Sequence, residues 1–167
     1  MLLKDLSTIE TALGQMSVAA TDQGICFLEY SDRKDIEAQY RAMQNVVHGN
    51  IENSKHINDL KFQLDEYFAG KRKQFSVPVV SPSSGFYNSV WRALQSILYA
   101  ETLSYKEVAM KIEKENAVRA VATAVRRNPI AIIIPCHRVI LSNGELGEYA
   151  GGHDRKFKLL ELEKKYS

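Results

Sequence analysis

Apolar and polar positions alternate along the first thirty residues and then change period. Residues 8–16 read as a strand, and residues 17–20 continue the pattern. Thr21-Asp22-Gln23-Gly24 has turn chemistry, and residues 25–30 read as a second strand. The period then becomes helical. Residues 35–47 form one predicted helix. Residues 55–68 form another, with Ile57, Leu60, Leu64 and Phe68 on one stripe and Gly70 as its stop. Residues 75–80 are a short β-type run, and Ser81-Pro82-Ser83-Ser84-Gly85 is linker chemistry.

After the linker, residues 86–98 predict a helix that buries Phe86, Val90, Leu94 and Ile97, with Trp91 beside them. Ser104-Tyr105-Lys106-Glu107 is a capping box, which starts a short helix ending near Ile112. Glu113-Lys114-Glu115 turns the chain into a second helix over residues 116–126. Two short helices at a tight turn resemble a helix-turn-helix, without the usual turn glycine. Asn128-Pro129 breaks the helix, and residues 130–135 read as a buried strand ending at Cys136. Ser142-Asn143-Gly144 is a turn and Ala150-Gly151-Gly152 a loop. Asp154 is the expected cap of a last helix running to about Lys164.

The pattern predicts an α+β chain: an N-terminal α/β domain with a small antiparallel sheet over residues 1–80, and a helical domain over residues 85–167. A chain of 167 residues with 45% hydrophobic and 25% charged positions can bury a core without disulfides or metals. The opening Met-Leu-Leu-Lys-Asp-Leu has no signal-peptide pattern, and no run spans a bilayer. Both features predict an intracellular protein, cytoplasmic or, in a eukaryote, nuclear. Net charge is +2, but residues 1–80 carry 9 Lys+Arg against 11 Asp+Glu, so the remaining residues carry 13 against 9. That asymmetry directs an anionic partner to the C-terminal half.

On the second short helix, Val118, Val121, Ala122 and Val125 share one face. Asn116, Arg119, Ala120, Thr123 and Arg127 share the other. Small outward residues with a long cation fit a nucleic-acid groove, and they fit an ordinary solvated face about equally well. The two cysteines differ in company. Cys26 reads as a small apolar strand residue. Cys136 is followed by His137 and Arg138, which are unexpected in a core strand. Strand geometry would point Cys136 and His137 to opposite faces, so contact between them needs a turn or a bridging water. His48, His56 and His153 have no metal-ligand spacing and no protease-like pattern. Lys156, Leu159, Leu160 and Glu163 share one side of the last helix. Glu163 can therefore meet His137, or a lysine such as Lys164, or water.

Asn128-Pro129, Ile134-Pro135-Cys136-His137-Arg138-Val139 and Gly144 with Tyr149-Ala150-Gly151-Gly152 together resemble the signature of the O6-alkylguanine-DNA alkyltransferases, the methylated-DNA–protein-cysteine methyltransferases. The likeness extends through Ala117-Val118-Arg119-Ala120-Val121, Ser104-Tyr105 and Val90-Trp91. It implies a ribonuclease H-like first domain and a helix-turn-helix in the second. It implies irreversible, stoichiometric transfer of an alkyl group from O6-alkylguanine, and less so O4-alkylthymine, in double-stranded DNA to Cys136. It further implies a monomer acting from the minor groove by base flipping, with no cofactor; some members bind zinc in the first domain, but Cys26 alone does not support a metal here.

By the same resemblance, His137 takes the thiol proton through a water, Glu163 orients His137, Asn128 braces the turn and Tyr105 protonates the departing guanine. Arg119 fills the gap in the base stack, beside Asn116, Ala120 and Thr123 on the DNA. Val125, Val139, Tyr149 and Ala150 line the pocket. Three stretches depart from the pattern: Ile97-Leu98-Tyr99-Ala100 where Ile-Pro-x-Gly is frequent, Ala122-Thr123 where glycines are common, and Ala150 where some members have serine. A DNA-binding module without chemistry and a cysteine hydrolase are the competing classes.

Overall fold

The computed structural model describes residues 6–45 and 55–167 and divides into two compact units, Met1–Ser83 and Ser84–Ser167. The predicted end of the first helix at residues 46–47, and His48, lie outside the described residues.

In the first unit, β1 (Ser7–Thr11), β2 (Gly14–Thr21) and β3 (Gly24–Tyr30) form an antiparallel meander. The strand expected over residues 8–16 is therefore two strands. A two-residue hairpin loop, Ala12-Leu13, interrupts it, and Gly14 takes φ +118° where the chain re-enters the sheet. α1 (Ile36–Gln44) packs Ile36, Tyr40 and Met43 against Ala19, Cys26 and Phe27. The Phe27 and Tyr40 rings meet edge to face at 5.4 Å. α2 (Lys55–Phe68) has the expected bounds. Its buried stripe is Ile57, Leu60, Gln63, Leu64 and Tyr67, while Phe68 is only half buried.

The run over residues 75–80 does not form a strand. It makes one parallel bridge, with Ile25 N–H donating to the Pro78 carbonyl and Val80 N–H to the Ile25 carbonyl, both at 2.8 Å. Pro78 cannot donate to a ladder. Gly24 lets this segment approach: a Cβ there would stand 2.5 Å from the Pro78 oxygen. Between β3 and α1, buried Arg33 donates to Glu29 and Asp35, each at 2.6 Å.

In the second unit, α3 (Gly85–Gln95), α4 (Tyr105–Lys111) and α5 (Val118–Arg126) pack around Val90, Leu94, Val108, Val121 and Ala124. α3 ends three residues before the expected point, so Ile97 is buried outside it and Phe86 is half buried. The capping box at Ser104 and Glu107 is present on both sides. Glu113 adopts φ +57° at the turn between α4 and α5, so an ordinary side chain occupies the place where glycine was missed. Asn116 precedes α5. On the inward side of α5 the buried residues are Val121, Ala124 and Val125, whereas Val118 and Ala122 are half exposed.

The apolar run over residues 130–135, buried except for half-buried Ile133, is a turn, not a strand, with Ile132 at φ +69°. Residues Cys136–Arg138 then form one turn of 3-10 helix. β5 (Val139–Ile140) pairs in parallel with β4 (Leu103–Ser104). α6 (His153–Lys165) starts after Gly152 at φ +100°. Asp154 lies inside its first turn and pairs with Lys158 rather than capping. Among the described residues no helix is long and apolar enough to cross a membrane.

Candidate active site

Because Cys136–Arg138 is a 3-10 turn, the alternation argued for a strand does not apply. Three side chains leave one short turn about 120° apart. Cys136 is buried yet retains 7% exposure, while His137 is wholly enclosed. His137 and Arg138 converge on Glu163, which α6 carries at zero exposure. His137 Nε2 lies 2.7 Å from Glu163 Oε1. Arg138 closes a fork on the same carboxylate through Nε and Nη2, each at 2.9 Å, and its Nη1 donates to the Ile97 carbonyl at 2.7 Å. The Ala100 amide donates to Glu163 Oε2 at 3.1 Å. That amide belongs to a left-handed alanine, φ +64°, in the stretch where glycine is frequent.

These contacts set the charges. Burial works against ionising Glu163, but the His137 N–H and the Arg138 fork outweigh it and hold the carboxyl well below its ordinary range. Burial pushes His137 down, only partly opposed by Glu163, and the Arg138 and Lys156 charges push the same way as burial. The imidazole is therefore neutral, with its proton on Nε2 facing the carboxylate. Nδ1 is then a buried acceptor with no hydrogen-bonding protein group beside it. Tyr105, the first residue of α4, is raised by burial and by the nearby Cys136 and Glu148 charges, so its hydroxyl keeps its proton. Lys156 is brought down to about 8 by burial, partly countered by Cys136. Its ammonium donates to the Val139 carbonyl at 2.5 Å and to the Glu148 carbonyl at 3.3 Å, which ties β5 to the segment leading to Tyr149.

Asn128 holds the turn beneath the cysteine. Its Oδ1 accepts from the Ile130 amide at 3.0 Å, and its Nδ2 donates to the Ile134 carbonyl at 2.8 Å. Ile132, strained for a β-branched residue, sits inside that loop. Val125 and Val139 are buried, and Tyr149 and Ala150 are half buried.

Asn116, Arg119, Ala120 and Thr123 are exposed. The Thr123 hydroxyl turns back to the Arg119 carbonyl at 3.2 Å, which keeps that face of α5 low apart from Arg119. Arg138, Lys156 and the Ala100 amide are site groups that sequence reasoning gave no role. The sequence signals two of them: Arg138 is unexpected after a core run, and Lys156 shares one side of the last helix with Leu159, Leu160 and Glu163. Cys26 is a core residue: its sulfur lies 3.5 Å from the Ala19 carbonyl, and burial raises the thiol to about 11. Among the described residues no group of three or more His, Cys, Asp or Glu side chains could hold a metal ion.

Two family profiles match the chain: "6-O-methylguanine DNA methyltransferase, ribonuclease-like domain" over residues 6–80, and "6-O-methylguanine DNA methyltransferase, DNA binding domain" over residues 85–165. A methylated-DNA–protein-cysteine methyltransferase of Methanosarcina barkeri is 42% identical over 158 residues, covering 93% of this chain and 94% of the relative. The inducible enzyme of that name from Bacillus subtilis is 40% identical, covering 90% and 84%. The crystal structure of Mycobacterium tuberculosis OGT in complex with DNA superposes with a TM-score of 0.82 at 36% identity, covering 96% of this chain and 92% of that one.

Proposed function

The chain belongs to the 6-O-methylguanine DNA methyltransferase family, and from that premise we propose that it repairs DNA by moving an alkyl group from O6 of guanine onto the Cys136 sulfur, once per molecule. The observation that carries this reading is the His137–Glu163–Arg138 cluster, closed at 2.7–2.9 Å, with His137 and Glu163 wholly buried beside a cysteine that keeps a little exposure.

The nucleophile must be a thiolate, because a thiol is weak. Neutral His137 takes the Cys136 proton at Nδ1 through a bridging water, while Glu163 fixes the proton on Nε2 and Arg138 keeps Glu163 ionised. The sulfur attacks the alkyl carbon, a C–S bond forms, and the C–O6 bond breaks. Tyr105 gives its proton to the departing guanine and recovers one from His137, so the net movement of hydrogen is from thiol to base. A thioether is a poor leaving group and nothing nearby regenerates the thiol, so the protein is spent.

The reactive base lies inside a duplex and must be flipped out, at a few kcal/mol. The low face of α5 suits close approach to the minor groove, with Arg119 entering the stack and Asn116, Ala120 and Thr123 beside it. Val125, Val139, Tyr149 and Ala150 would enclose the flipped base, and O4-alkylthymine would be a poorer substrate. The protein acts as a monomer. Residues 1–80 support the structure, and residues 85–167 bind DNA and carry the chemistry.

Mass spectrometry of the intact protein and its peptides, after incubation with an O6-methylguanine duplex, tests the scheme. One methyl group on the peptide carrying Cys136 is expected, with Cys26 unmodified. Release of methanol by unmodified protein would overturn it.

A further inference from the structure

The C-terminal end of α5 carries a cation that this scheme does not use. Arg127 follows the last helical residue and is exposed. Its guanidinium is nevertheless held. Nη1 donates to the Tyr87 hydroxyl at 2.9 Å, and Cζ stands 5.9 Å from the centre of the same ring. Tyr87 leans on Trp91, one turn further along α3, with ring centres 5.9 Å apart. Trp91 in turn donates from Nε1 to the Ala124 carbonyl of α5 at 2.9 Å. The aromatic residues of α3 thus form a ledge that is fastened to α5 and carries the guanidinium at its outer edge.

No described carboxylate pairs with Arg127, in contrast to Arg33, Arg72 and Arg138, each of which meets one within 2.9 Å. Fixing a long side chain costs rotamer entropy, and one exposed hydrogen bond to an uncharged hydroxyl with one ring contact offsets only part of it. The arrangement makes more sense if an anion completes it. A guanidinium has five donors in a planar fork, and Tyr87 takes one of them. Arg127 also follows Arg119 by two helical turns, about 12 Å along the axis, on a neighbouring side of α5.

We propose that Arg127 is a phosphate anchor of the DNA interface, aimed in advance by Tyr87. The fork would hold one phosphodiester of the duplex about two helical turns from Arg119, setting orientation without reading sequence. This rests on the DNA-binding reading above.

The test is fluorescence anisotropy with an undamaged duplex between 50 and 200 mM NaCl, on the wild type, Arg127→Ala, Arg127→Lys, Tyr87→Phe and the Tyr87→Phe/Arg127→Ala double variant. Thermal unfolding confirms that each variant is folded. Loss of one phosphate contact makes the plot of log affinity against log salt shallower by about 0.9, so the deficit of Arg127→Ala shrinks about 3.5-fold across this range. Arg127→Lys keeps the slope. Tyr87→Phe weakens binding by about threefold, the worth of one hydrogen bond, and has no effect once Arg127 is alanine. A merely structural arginine would change stability and leave the slope alone, so a folded Arg127→Ala with the wild-type slope overturns the anchor. If the wild type shows no salt-dependent binding to duplex, the DNA-binding reading falls and the anchor falls with it.

Discussion

Replacing Glu163 with glutamine keeps the size of the side chain and changes only its charge and one oxygen. Glu163 accepts from His137 and Arg138 on Oε1, and from Arg138 and the Ala100 amide on Oε2. A glutamine offers one accepting and one donating end, so one of these two pairs must face an amide NH2. If the NH2 faces Arg138 Nε and the Ala100 amide, three donors confront one another around a buried guanidinium without its counter-ion. That is the situation in which a broken buried ion pair costs about 3–5 kcal/mol.

If the NH2 faces His137, Nε2 must accept, the imidazole proton moves to Nδ1, and the ring can no longer receive the thiol proton there. Loss of a general base slows transfer about 10²- to 10⁴-fold. Single-turnover transfer from an O6-methylguanine duplex, followed from acid to neutral pH beside a denaturant melt, reads both outcomes. In the wild type the working imidazole is neutral and its folded value is lowered. Activity should therefore persist below the ordinary histidine range and fall only as pH drops through that lowered value. His137→Gln is the companion variant. It leaves the Glu163–Arg138 fork in place, so it should lose rate by the same factor with a much smaller loss of stability. A folded Glu163→Gln protein with wild-type rate and an unchanged acid limb would refute the reasoning.

Asn128→Ala should destabilise by about 2–4 kcal/mol, since it strands the buried Ile130 amide and Ile134 carbonyl, and should slow transfer as the turn under Cys136 relaxes; denaturant melts and single-turnover rates check both. Ala100→Gly should raise stability by about 1 kcal/mol, because a left-handed alanine is replaced by a residue without that penalty; an unchanged or lower denaturant midpoint would refute the assigned strain. Stability should fall with acid below the ordinary histidine value, since the unfolded chain protonates His137 there and the folded chain does not. In His137→Gln that part of the pH dependence of the melting midpoint should vanish.

Where a residue's partner lies within a helical turn or two, the sequence reveals it. The α2 bounds follow from apolar spacing, and the capping box at Ser104 and Glu107 is a contact between residues three apart. The failures share one cause. The run over residues 130–135 reads as a strand because an apolar run has no period of its own. What decides their shape is a side chain from outside the run, Asn128, together with the left-handed backbone of Ile132. The hairpin at Ala12-Leu13 is hidden in the sequence because those two residues have no turn chemistry and only Gly14 marks the place.

The same limit governs the site. Spacing on α6 put Glu163 on the leucine face but left open whether His137, Lys164 or water met it. The 3-10 turn removes the strand argument against a Cys–His arrangement, and Arg138 then makes a dry carboxylate tolerable. A lone buried Glu163 would have favoured its neutral form and lost its hold on the imidazole tautomer. Burial keeps His137 neutral, while Arg138 keeps Glu163 ionised so that the carboxylate holds the imidazole proton on Nε2 and leaves Nδ1 as an acceptor.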